Sequence, residues 1–342
     1  MLLKGLSFAL ALLFAAALIT SSCGGGDGDE PAPEGRIAFG AGQEGGYGLY
    51  VIQPDGTGLQ RLARESGQIS FSVWSPDAGR IAYVVGEPGG PGTLRLYDFA
   101  AGAATTVAES VVIGTPGPAV AWLENGAGLA FVDASSGGIR VFRFDTGAID
   151  STIIGANVRA LDWSSGGSVA YIAEAPSQEP ALLIADEDGS RELLRREGLQ
   201  GVRWSPDGAE MAFWAFAADT VPPEGRLLVL EEDGEDLEQI AEGEAPAWAP
   251  DGARIAYSGP AESGAALDIY VIDPSGGESR NATLSVTDDR WPSWSPGGDR
   301  IVYLGIADAQ TAFVCVVRLE PEAHDCFDLP GLLPSAPAWS SR

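Results

Sequence analysis

Lysine is nearly missing from this chain, whose single copy is Lys4, and histidine occurs once, at His324. The 20 basic residues face 48 acidic ones, a formal net charge of −28. Phosphate backbones and anionic headgroups are bound by clustered Lys and Arg, so this surface repels nucleic acid and anionic lipid. A cationic patch on a protein is the partner such charge leaves open; the plainer use of the acidity is to keep an exported protein soluble. One histidine leaves His-based zinc sites and Ser-His-Asp arrangements short of parts, and His324 between Glu322 and Cys326 reads as a solvated turn residue. No GxSxG and no CxxC occurs, which removes the nucleophile elbow and the dithiol exchange motif. GAGQEG from Gly40 fits GxGxxG but leads into a strand at Leu49, not a helix, so it reads as a flexible loop. Asp186, Asp188 and Gly189 share part of a calcium-loop pattern, yet Asp55 and Asp233 occupy equivalent turns, and turn chemistry accounts for them. No cofactor is expected, calcium being the one possibility left and without specific support.

What is present is turn-forming and apolar: 46 glycines, 23 prolines and 45% hydrophobic residues, the content of many short strands. Residues 1–22 read as a targeting segment, with Lys4, an apolar run from Leu6 to Ile19 that is short for a membrane span, and small polar residues before Cys23. This stretch resembles a bacterial lipoprotein signal, which implies lipidation at Cys23 and a membrane-anchored protein facing the periplasm or cell exterior. Thr20 stands where that family has an aliphatic residue, so ordinary cleavage and secretion is the alternative. With Cys23 consumed by lipid, Cys315 and Cys326 are left to form a disulfide in an oxidising compartment; two reduced cysteines in neighbouring strands is the other reading. Residues 23–35 carry no apolar anchor and read as a flexible tether to a domain spanning 36–342.

Within that domain Trp74, Trp122, Trp163, Trp204, Trp248, Trp294 and Trp339 recur every 41–48 residues, a propeller period. Each of the first six is followed eight or nine residues later by an aromatic, as in WSPDAGRIAY at Trp74, WSPDGAEMAF at Trp204, WAPDGARIAY at Trp248 and WSPGGDRIVY at Trp294. Pro and Gly in the intervening turn are hairpin chemistry. A third strand (LYVIQPDG from Leu49, IYVIDPSG from Ile269) and a fourth complete four antiparallel strands per unit. The segment from Arg36 to Phe39 is a second strand lacking its tryptophan strand, and Pro337 to Ser340 is a tryptophan strand lacking its successor. The expected fold is therefore all-β: a seven-bladed propeller whose ring is closed by the C-terminal strand joining the first blade. The count shifts by one if the weak copy at Trp163 merges with a neighbour.

These repeats resemble the TolB-type, or PD40, propeller repeats, whose W-S-P-D-G-x-x-I-A-[FY] pattern matches residues 74–83, 204–213 and 248–257. The copies at Trp122 and Trp163 lack the Pro-Asp pair. TolB itself carries an α/β domain before a propeller that usually has six blades; only a tether is read here, so its partnerships are not carried over.

Because successive strands alternate direction, the turns after first and third strands share one tight face, and the links after second and fourth strands share a variable one. Function belongs on the variable face. Trp291 and Phe71, each three residues before a blade tryptophan, are candidate partner-gripping aromatics, with packing between blades as the plainer role. Arg290 and Asp289 are candidates beside them, while Arg159 and Arg203 are expected to pair with nearby acids such as Asp162. No acid–base set stands out, so the expected function is a non-catalytic protein-binding scaffold at the cell envelope. The alternative is a carboxylate- or calcium-dependent hydrolase, lactonase or lyase at the central channel.

Overall fold

The computed structural model describes residues 35–341 apart from 44, 88–89, 114–118, 151–153, 175–177, 217–224, 263 and 265. All of these belong to one compact unit, Pro33–Arg342. The targeting segment, Cys23 and most of the tether lie outside the described residues.

The chain forms seven four-stranded antiparallel blades. Their innermost strands end on the repeated tryptophans: Gln68–Trp74, Val120–Trp122, Val158–Trp163, Leu199–Trp204, Glu244–Trp248, Asp288–Trp294 and Ala338–Trp339. The weak copy at Trp163 is a full blade, with further strands Val169–Ala173, Ala181–Asp186 and Gly189–Arg195. Blades 2 and 3 are joined into one sheet by a single bridge between Val111 and Asp133.

Blade 1 is assembled from both ends of the described chain. Its strand Ile37–Gln43 pairs with Gly46–Ile52 on one side, and on the other with Ala338–Trp339 and Leu333–Pro334 (Ile37 opposite Trp339, Gly42 opposite Leu333). The ring is thereby closed by the C-terminal strand. The core agrees, because it consists of seven apolar clusters, each between adjacent blades, including one that packs Phe39, Tyr50 and Ile52 of blade 1 against Val302, Val314 and Val316 of blade 7. Closure leaves no inner blade edge open to another chain.

The repeat motif explains itself at its hydroxyl and carboxylate. In blade 2 the buried Ser75 receives Arg80 N–H at 2.9 Å and donates to Asp77 Oδ1, which also receives Gly79 N–H at 3.0 Å. Ser205 with Asp207 repeats the arrangement, and in blade 7, where Gly297 takes the carboxylate's place, Ser295 receives Arg300 N–H and donates instead to Asp299. The tryptophan does more than fill space. In blades 3, 6 and 7 its indole Nε1 donates to the carbonyl of the residue preceding the tryptophan of the previous blade: Trp122 to Val73, Trp248 to Arg203 and Trp294 to Ala247, at 3.0–3.2 Å. Each bond satisfies two groups that burial would otherwise orphan.

The loop expected from Gly40 is instead strand. Gly40 lies within Ile37–Gln43, and a Cβ there would come within 2.5 Å of Ile69, so the glycine serves close packing between blades 1 and 2. His324 also sits on a strand, Glu322–Phe327, exposed beside Glu322.

Candidate functional site: the variable face of blades 6, 7 and 1

Six large apolar side chains are exposed among the described residues: Leu59, Leu237, Leu284, Val286, Trp291 and Leu333. Leu59 and Leu237 follow third strands and so lie on the tight face. Leu284 and Val286, in the link from blade 6 to blade 7, lie on the variable face; Leu333 pairs with Gly42 near the variable end of blade 1, the next blade round the ring, and Trp291 stands midway along the inner strand of blade 7.

Trp291 owes its position to a bulge. The inner strand of blade 7 carries one extra residue between Arg290 and Ser293 relative to its partner, and there Trp291 adopts φ +55°. The same irregularity in blade 6 falls on Ala245 (φ +53°), and in blades 4 and 5 the unpaired residues are Arg159 and Gln200. Bulges re-aim side chains, and a left-handed non-glycine residue costs roughly 1–3 kcal/mol. The bulkiest side chain of the set is thus held outward at a strained position, 38% exposed. Phe71, at the matching place in blade 2, is half-buried and packs into the cluster between blades 2 and 3, so it is not a second exposed aromatic.

The other two candidates are occupied. Arg290 is held by Glu244 at 2.7 Å and Asp288 at 2.8 Å, not by Asp289. Asp289 is fully buried and so faces no partner directly; one oxygen accepts from Thr287 Oγ1 at 2.6 Å, while Oδ2 has no partner. Burial pushes the Asp289 carboxyl above the ordinary range against the lowering effect of Thr287, Ser285 and Thr283. Burial likewise raises Glu244, with Arg290 pulling the other way.

Asp289 ends a polar network that the sequence did not reveal. Asp268, on the third strand of blade 6 and 2% exposed, accepts from Asn281 Nδ2 (2.7 Å), Ser285 N–H (3.2 Å) and Thr283 Oγ1 (3.4 Å). Ser285 and Thr287 hydroxyls are 2.9 Å apart, and Thr287 reaches Asp289. Burial raises the phenol of Tyr303 beside this network, and the two aspartates raise it further. At its floor Gly305 leaves room: a Cβ there would stand 3.3 Å from Cys315 Sγ and from Thr287 Oγ1 and 3.4 Å from Asp289 Oδ1. Cys315 is disulfide-bonded to Cys326 across adjacent strands of blade 7.

Elsewhere, Arg159 pairs with Glu174 at 2.5 Å. Asp162 accepts Trp204 N–H at 2.9 Å and attracts Arg203; burial raises the acid and lowers the base. Asp186, Asp233 and Asp55 cap their own turns through backbone N–H groups at 2.8–3.2 Å. No group of three or more acidic, His or Cys side chains that could hold a metal occurs among the described residues. No helix among them is long and apolar enough to cross a membrane.

No protein-family model matches the chain, and no curated protein matches it. Solved structures do. TolB from Acinetobacter baumannii is similar over 90% of this chain and 67% of its own, with a TM-score of 0.61 at 18% identity. An oligogalacturonate lyase in complex with manganese is similar over 81% of this chain and 84% of its own (TM-score 0.62, 16% identity). A chain of the nidogen/laminin complex is similar over 89% of this chain and 98% of its own (TM-score 0.53, 9% identity). At these identities the likeness is one of fold, and it extends to an enzyme, the oligogalacturonate lyase.

Proposed function

We propose that this chain is a non-catalytic protein-binding scaffold of the bacterial cell envelope, which presents the variable face of its propeller to a partner. The observation that carries this reading is the concentration of exposed apolar side chains on that face at blades 6, 7 and 1, while the buried carboxylates beneath are committed to internal hydrogen bonds. The fold likeness to TolB, and to a propeller whose structure is that of a nidogen/laminin complex, supports it. The disulfide supports an oxidising compartment, and lipidation at Cys23 would supply the anchor.

The test is capture of partners from solubilised envelopes by the mature protein. A partner lost in Trp291→Ala but kept in Leu237→Ser, on the opposite face, supports the scaffold. A partner kept in both, or none at all, counts against it.

A second reading rests on the Asp162–Arg203 pair of the inner strands and on the fold likeness to oligogalacturonate lyase: an enzyme acting at the central channel. Release of unsaturated product from oligogalacturonate, abolished by Arg203→Met, would favour it.

A further inference from the structure

The link Thr283–Thr287 is built inside out. The hydroxyls of Thr283 and Thr287 turn inward to the buried carboxylates of Asp268 and Asp289, Ser285 gives its N–H to Asp268 and its hydroxyl to Thr287, and Leu284 and Val286 between them turn outward, 66% and 102% exposed. An ordinary surface segment with this two-residue alternation buries its apolar positions and wets its polar ones. Here the hydroxyls anchor the link, so the apolar side chains have no route inward. Leu284 is moreover held at φ +46°, with its N–H bound to Asn281 Oδ1 at 3.1 Å, and Trp291 close by in sequence at φ +55°. Two bulky apolar residues in left-handed conformations, both exposed, are strain retained within one short stretch of chain, from the link to the inner strand of blade 7.

The surrounding charge is one-sided. Glu262, in the second-to-third strand link of blade 6, and Asp308, at the end of the second strand of blade 7, are exposed and form no ion pair among the described residues. Arg290, the base on the inner strand of blade 7, is already spent on Glu244 and Asp288. A second copy of this chain would bring the same negative charge, and anionic lipid would be repelled as well.

We propose that Leu284, Val286 and Trp291 form a docking site for a protein segment that combines apolar side chains with lysine or arginine. The inference rests on the scaffold reading and gives that scaffold's partner a chemistry. The apolar side chains supply the buried centre of contact, and the acidic rim selects cationic flanks and speeds encounter.

A synthetic peptide alternating leucine and lysine is the probe, with its leucine–glutamate counterpart as control, both titrated against the mature protein by fluorescence anisotropy. The leucine–lysine peptide should bind the native protein, and Leu284→Ser/Val286→Ser should weaken it by about tenfold or more, a change of 1.4 kcal/mol or greater. Leu59→Ser/Leu237→Ser, on the tight face, should leave affinity unchanged. Equal binding by the 284/286 variant, with its melting temperature unchanged, overturns the proposal. So does equal binding of the leucine–glutamate peptide, or a preference for vesicles of anionic lipid over the peptide. An envelope partner still captured by the 284/286 variant but lost from Trp291→Ala would overturn this site while leaving the scaffold reading standing.

Discussion

The indole Nε1 of Trp74 donates to the carbonyl oxygen of Ala338 at 3.1 Å, joining residues 264 apart in the chain. It is the same bond that stitches blade 2 to blade 3 and blade 6 to blade 7, made here across the closure of the ring. At these blades the tryptophan therefore acts twice: it fills the blade and it fastens that blade to the one before, whereas the buried Nε1 of Trp204 has no partner.

Truncating each kind of anchor should separate packing from hydrogen bonding. Trp294→Ala removes a side chain 6% exposed that also carries Arg254 over its ring, and should lower stability by about 3–5 kcal/mol in urea unfolding. Trp74→Phe keeps most of the apolar area but leaves the Ala338 carbonyl without its donor, and should cost about 1–2 kcal/mol.

The sequence made the blades legible because two signals coincide in each: a tryptophan at a propeller period, and the Ser-Pro-Asp-Gly turn that follows it. Even Trp163, without Pro-Asp, heads a full blade, since Ser164 Oγ still receives Ser168 N–H at 3.0 Å and closes the turn. The site was less legible. Spacing singles out Trp291 and Phe71 alike, each with packing between blades as its plainer role; Phe71 takes that role and Trp291 does not, because exposure depends on what the neighbouring blade offers. Leu284 and Val286 lie in a link with no motif. Their exposure follows from Asp268, whose burial is set by three strands and cannot be read from its neighbours in sequence.

The buried Asp289 predicts an uncommon pH response. Its pKa is raised on folding, so the folded state holds that proton more tightly than the unfolded chain. The stability it contributes is fully present below the unfolded value of about 3.9 and is lost as pH rises through the folded one. Asp289→Asn keeps an acceptor for Thr287 and should therefore raise stability at neutral pH, the gain disappearing below about pH 4. Asp207, held low first by the Ser205 hydroxyl, has the opposite sense: Asp207→Ala should weaken the protein at neutral pH, with the difference vanishing as acid protonates the native carboxylate. Urea midpoints measured across pH 3–8 check both.

The disulfide links Cys315 and Cys326 over a sequence separation of 11. Loop-closure entropy for so short a loop gives about 3 kcal/mol, and Cys315→Ala/Cys326→Ser should destabilise blade 7 by no more than that. Because Cys315 also packs near Thr287 and Asp289, hydrogen exchange in the 283–287 link should quicken in this variant.

Trp291→Gly relieves the left-handed strain and should raise stability by about 1 kcal/mol while reducing partner binding. A thermal melt of the variant beside its capture assay reads both effects.

The variable face as the working face is tested most directly by placing a photo-crosslinking amino acid at position 286 and, separately, at position 237, and irradiating intact cells. Position 286 should give a discrete crosslinked product and position 237 none. Products from 237 alone, or the same product from both, would contradict the assignment of function to that face.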